Sequence, residues 1–189
     1  PRTYTHAVRD VLDDLLAVWR TGQTAGLATV VRTIRSAPRA PGAAMVVAPD
    51  ATVAGSVSGG CVEGAVYELA GAVVEAGHPE LQRYGITDDD AFAVGLTCGG
   101  IIDVFVEPVS RNTFPQLEAV ADDIAAHRPV AVATVIAHPD AGWVGRRLVL
   151  GADSVEGSLG SDRADAAVAD DARGLLAAGR TDVLTYGPD

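Results

Sequence analysis

The tetrapeptide LATV at residues 27–30 returns as VATV at 132–135, and GAAMVV at 42–47 returns as GRRLVL at 145–150. Farther along, GSV at 55–57 has a counterpart in GSL at 157–159, and RYG at 83–85 in TYG at 185–187. The spacing between counterparts narrows only from 105 to 102 residues. Self-similarity at a fixed offset predicts two copies of one supersecondary unit, so both copies answer to the same reading. The leading helices agree as well. Leu12, Leu15, Leu16 and Trp19 occupy an i, i+3, i+4, i+7 face, and Leu117, Val120, Ala121 and Ile124 occupy its counterpart.

Each unit reads as a leading helix, a strand near LATVV or AVATVI, a second near MVVA or LVLG, and a third around TVAGSV or VEGSL. A second helix and a strand at the YG follow. In the first unit that helix is predicted from about Cys61 to Ala76, with Val62, Ala65, Val66, Leu69, Val73 and Ala76 on one face and Gly77 and Pro79 ending it. GIIDVFVEP, residues 100–108, has the alternation and β-branched content of a buried strand. The expected fold class is α/β: internally duplicated helix-plus-mixed-sheet units related by a pseudo-two-fold. Residues 1–108 form the first unit and 109–189 a degenerate second one, packed with it as one body. No counterpart of GIIDVFVEP follows TYGPD, and length matching places about 20 further residues beyond it. The open sheet position this leaves is expected to promote association.

Composition narrows the function classes. Of 189 residues, 48% are apolar, enough for a sizeable core. No window reaches the roughly 20 uninterrupted apolar residues of a membrane span, and PRTYTHAVRD carries no apolar signal core, so a cytoplasmic protein off the membrane is expected. Fourteen basic against 25 acidic residues give a net charge of -11, which repels nucleic acid. The absence of lysine excludes a lysine Schiff base and a Walker A loop. Two cysteines, Cys61 and Cys98, are too few for a secreted disulfide framework; reduced thiols are the default, with one Cys61–Cys98 bridge as the alternative.

The two copies diverge where chemistry would sit: SGGCVEG at 58–64 faces GSDRADA at 160–166. Only the first turn carries a thiol. A cysteine at a helix mouth meets unsatisfied N–H groups that favour its thiolate, and Ser58, Gly59 and Gly60 can present successive N–H groups as an anion nest. Glu63, two residues on, is expected on a different side of the helix, placed favourably for the dipole. The same pattern also suits a small buried cysteine behind a tight turn. Cys98, Gly99 and Gly100 repeat the cysteine-and-paired-glycine arrangement before a strand, without the four-ligand spacing of a zinc site. Arg39, held between prolines in RTIRSAPRAPGAAM, presents a guanidinium suited to bidentate phosphate contact, or simply to solvent. GSVSG centres on Val57 and so is no nucleophile elbow, and GSVSGG is no dinucleotide fingerprint. Asp88, Asp89 and Asp90 read as a solvated run, and His6, His78, His127 and His138 form no ligand pattern.

In order along the chain, SAPRAPGAAM at 36–45, GSVSGGCVE at 55–63 and GLTCGGIIDVFVEP at 95–108 resemble the XdhC/CoxI family of molybdoenzyme accessory proteins. The resemblance covers residues 8–108 strongly and the second unit weakly. It implies a protein that binds the molybdenum cofactor in its molybdopterin form as cargo and supports maturation of molybdenum hydroxylases of the xanthine-dehydrogenase/CO-dehydrogenase type. Such a protein is a chaperone with no catalytic residues of its own. Its implied partners are the hydroxylase client, a cysteine desulfurase and a second copy of the chain. Cys61 matches the family's cofactor-binding cysteine and is a candidate molybdenum ligand; Ser58, Gly59, Gly60, Glu63, Arg39, Cys98, Gly99 and Gly100 complete the implied cofactor site. Many relatives add a C-terminal Rossmann-like domain that these residues do not include. The rival readings are a sulfurtransferase with Cys61 as the persulfide carrier and Cys98 as the resolving thiol, and a non-catalytic α/β interaction module.

Overall fold

A computed structural model describes residues 7–35, 37, 39–85 and 100–187. A short helix α1 (Ala7–Asp10) leads into α2 (Leu12–Arg20), which buries Leu12, Leu15, Leu16 and Trp19, the face given by their spacing. Strands β1 (Ala25–Ile34), β2 (Ala44–Val47) and β3 (Val53–Gly55) follow, then α3 (Glu63–Ala76), β4 (Glu80–Gly85) and β5 (Ile101–Val109). The second half holds α4 (Leu117–Ala125), β6 (Ala131–Thr134), β7 (Arg147–Leu150), β8 (Val155–Ser158) and α5 (Asp162–Ala177).

The strands make two sheets, ordered β3-β2-β1-β5-β4 and β6-β7-β8. Every described pairing is antiparallel, which corrects the expectation of mixed sheets. Connectivity explains it. Five residues link β2 to β3, too few for a parallel crossover, and α3 carries the chain back along the sheet so that β4 sets out in the direction of β3. A second correction concerns TYG at 185–187: residues 180–187 carry no regular structure. In the first half the RYG strand exists by pairing with β5, from Glu80 opposite Val106 to Gly85 opposite Ile101. Among the described residues, β6 has β7 as its only neighbour, and residues 180–187 pair with no strand.

Three clusters form the core. One lies between α2, α4 and the face of β1 carrying Ala25 and Leu27, and it takes Val149 from β7. The second lies between α3 and the other face of the large sheet, built on Ala28, Val30, Met45, Val66, Val73 and Val104. The third packs α5 on Leu148 and Leu150. α3 sits low on β1: a Cβ added to Gly26 would come within 2.8 Å of the Ala70 Cβ. Between the two sheets, Arg147 on β7 donates to Glu107 on β5 at 2.5 Å, with both side chains under a tenth exposed.

Candidate functional site

Register places the sequence motifs at one end of the large sheet. β1 finishes at Ile34 opposite Ile101, and Gly85 at the end of β4 pairs with the same Ile101, so Gly100 sits where both strands stop. β3 ends at Gly55 opposite Met45, just after the loop that carries Arg39 has returned to β2. The turn bearing Cys61 therefore opens beside that loop, and the start of α3 points to the same end. Ala37 and Cys61 both pack against the second core cluster.

The turn is organised by two side chains. Ser58 is fully buried, and its hydroxyl uses its whole capacity: it donates to Glu63 Oε2 at 2.5 Å and accepts from the N–H groups of Cys61 at 3.0 Å and Val62 at 2.9 Å. Glu63 turns back into the loop. Its Oε1 accepts from Ser56 Oγ at 2.6 Å, Ser58 N at 2.8 Å and Gly59 N at 3.0 Å, and its Oε2 also accepts from Gly60 N at 2.8 Å. Burial pushes the Glu63 carboxyl up, but the bonds from Ser56 and Ser58 outweigh it and bring it down to about 2. The turn thus encloses a carboxylate that is ionised at neutral pH.

This arrangement departs from the expectation in two ways. The helix begins at Glu63 and not at Cys61, which leaves Cys61 ahead of the first helical residue, half-buried. The carboxylate of Glu63 faces the turn and not another side of the helix, and the N–H nest of residues 58–60 already holds it. Gly59 and Gly60 take φ of 76° and 111°, and a Cβ on either would meet nothing within 4 Å, so the turn's left-handed path requires them and crowding does not. Sequence reasoning missed Ser56. The available signal was a second hydroxyl two residues before Ser58 in a loop that closes on a first-turn glutamate.

Arg39 is exposed, as are His78, His127 and His138. Cys98, Gly99, Asp88, Asp89, Asp90 and His6 lie outside the described residues, so the second thiol is not placed relative to the first. Among the described residues no group of three or more His, Cys, Asp or Glu side chains gathers as a metal site. A groove of about 390 Å³ between α3 and residues 47–51 lies at the opposite end of the sheet and takes no residue from the Cys61 turn. No described helix is long and apolar enough to cross a membrane.

The sequence model of the XdhC and CoxI family matches residues 18–85 and 123–187. The chain belongs to the XdhC and CoxI family. Among its relatives, a probable xanthine dehydrogenase subunit of Bacillus subtilis (strain 168) is 33% identical over 116 residues, covering 60% of this chain and 34% of that protein. The "Molybdenum cofactor insertion chaperone PaoD" of Escherichia coli (strain K12) is 34% identical over 124 residues, covering 66% of this chain and 38% of that protein. This XdhC and CoxI family chain therefore spans well under half the length of these curated relatives. Its fold is similar to a crystal structure described as a xanthine dehydrogenase from Bacillus halodurans, with TM-score 0.64 and 26% identity over 79% of this chain and 45% of that one.

Proposed function

We propose that the chain is a molybdenum-cofactor-binding maturation factor that carries the cofactor as cargo for a molybdenum hydroxylase of the xanthine-dehydrogenase or CO-dehydrogenase type. The observation that carries the reading is the gathering of the Cys61 turn, the Arg39 loop and Gly100 at one end of the five-stranded sheet. The relative named as a molybdenum cofactor insertion chaperone supports it. The cofactor, when bound, supplies a thiophilic metal and an anionic pterin phosphate. Cys61 suits the metal end. The nest does not suit the phosphate, because Glu63 fills it, whereas the exposed guanidinium of Arg39 does. Ser58 holds Cys61 by its N–H, and Val62 together with Val66 on α3 anchors the turn in the core.

Duplication gives this site its frame: two units related by a pseudo-two-fold, 1–108 and 109–189, of which only the first kept the cysteine. The two stretches matched by the family model support it. Their starts, 18 and 123, differ by 105, and their ends, 85 and 187, by 102, the offsets at which the motifs recur. The order helix, three antiparallel strands, helix also occurs in both halves. A desulfurase and a second copy of the chain belong to the same reading as partners.

Co-expression with the cofactor-synthesis enzymes, followed by molybdenum analysis and pterin fluorescence of the purified protein, tests the reading. Near-stoichiometric molybdenum and pterin are expected. A persulfide on Cys61 without either would favour the sulfurtransferase, and neither cargo nor persulfide would favour an interaction module.

A further inference from the structure

We propose that Glu63 is the specificity-determining residue of the Cys61 turn: it is the turn's built-in anion, closes the nest of Ser58–Gly60 to phosphate, and leaves Cys61 as the turn's contact with cargo. The inference rests on the functional reading above and assigns an orientation, with the metal end of the cargo at this turn and its phosphate elsewhere.

Five donors converge on the two carboxylate oxygens: three successive backbone N–H groups and the hydroxyls of Ser56 and Ser58. A carboxylate has about four lone-pair positions, so the set is saturated. An incoming phosphate would compete for the same three N–H groups beside a carboxylate that stays ionised at neutral pH, and the two like charges would repel each other. The carboxylate also reaches the cysteine indirectly. It accepts from Ser58 Oγ, which in turn accepts from the N–H of Cys61, so one side chain both plugs the nest and fixes where the thiol stands.

The second half shows a smaller relative of this device, without the thiol and with one backbone donor on its carboxylate. Asp165 lies 102 residues after Glu63, and its Oδ1 accepts from the N–H of Leu159 at 2.6 Å. Ser158, 102 residues after Ser56, accepts through its Oγ from Gly160 N at 3.1 Å, as Ser56 Oγ accepts from Gly59 N at 2.9 Å. A carboxylate turned into the loop is thus present where no cysteine is. Its role is to organise the turn, and ligand contact in the first half falls to the residue that the second half lacks.

Titration of ¹⁵N-labelled protein with inorganic phosphate at neutral pH, following the Gly59 and Gly60 amides, tests the assignment. The wild-type amides should show no saturable shift, and Glu63→Ala should bind phosphate at those amides at least about tenfold more tightly. Saturable wild-type shifts at Gly59 and Gly60 would overturn the proposal, and they need no variant to be seen. A folded Glu63→Ala protein that gains no phosphate response would overturn it as well. Both results are independent of cargo: failure to co-purify molybdenum would count against the functional reading while leaving the nest measurement to stand by itself.

Discussion

At the scale of single residues, the Cys61 turn owes its shape to an acceptor-only group surrounded by donors. Glutamine at position 63 would keep one acceptor oxygen and replace the other with a donor, setting N–H against N–H at Gly60 or Ser58. The folded Glu63 carboxyl titrates near 2 against an ordinary value of 4.5. With the folded value depressed, the stabilisation is fully present above the unfolded value and is lost as pH falls from about 4.5 through 2. Urea unfolding at about pH 6 and about pH 3 should therefore show Glu63→Gln clearly less stable than wild type at the higher pH, with the gap narrowing at the lower. An equal gap at both would mean the charge contributes nothing. Arg39 is exposed, and the contribution proposed for it is of a different kind, a bidentate contact through its planar fork. Arg39→Lys keeps the charge and loses the bidentate geometry, so cofactor retention through gel filtration should weaken while stability stays within about 0.5 kcal/mol of wild type.

At the scale of elements, the helices and strands of both halves were legible because their apolar residues keep the two elementary periods. Leu12 to Trp19 and Leu117 to Ala121 are buried as their spacing demands, and β5 is buried along nearly its whole length. What escaped was set by partners distant in sequence. The RYG and TYG tripeptides look alike, yet only the first has β5 beside it. Glu63 at the start of a helix looks like a dipole-favoured surface residue until the loop closes over it. The alanine at position 70 gave no hint that Gly26 must lack a Cβ; that follows only from how low α3 sits on β1. Gly26→Ala should push the helix outward and cost about 1–3 kcal/mol by overpacking, measured as a lowered urea midpoint with an unchanged slope. Because α3 carries the Cys61 turn at its start, the same change should also loosen the site.

At the scale of the whole molecule, the two sheets are tied by a buried ion pair and one shared apolar cluster. Arg147 lies with its Cζ 4.1 Å from the Phe114 ring centre, and its Nη2 reaches both Glu107 and the Gly145 carbonyl. Burial pushes the Glu107 carboxyl up while the Arg147 charge pulls it down, and burial prevails. Arg147→Met leaves that carboxylate without its partner and should cost about 3–5 kcal/mol in urea unfolding, whereas Arg147→Met with Glu107→Leu should recover most of the loss. Equal losses in the single and double variants would show that the pair does not couple the halves. One order of elements, helix, three antiparallel strands and helix, stands on both sides of the pair, while the cysteine turn proposed to meet the cofactor stands on one side.

Cys61 is where that asymmetry can be measured. Wild type and Cys61→Ser, each co-expressed with the cofactor-synthesis enzymes and purified identically, are to be compared for bound molybdenum and pterin, with circular dichroism as the check on folding. Serine preserves the turn's size and its N–H contact to Ser58 but has no thiolate for a thiophilic metal. A folded variant that has lost most of its molybdenum is expected if Cys61 holds the metal; a folded variant with the wild-type content of both metal and pterin would show that it does not.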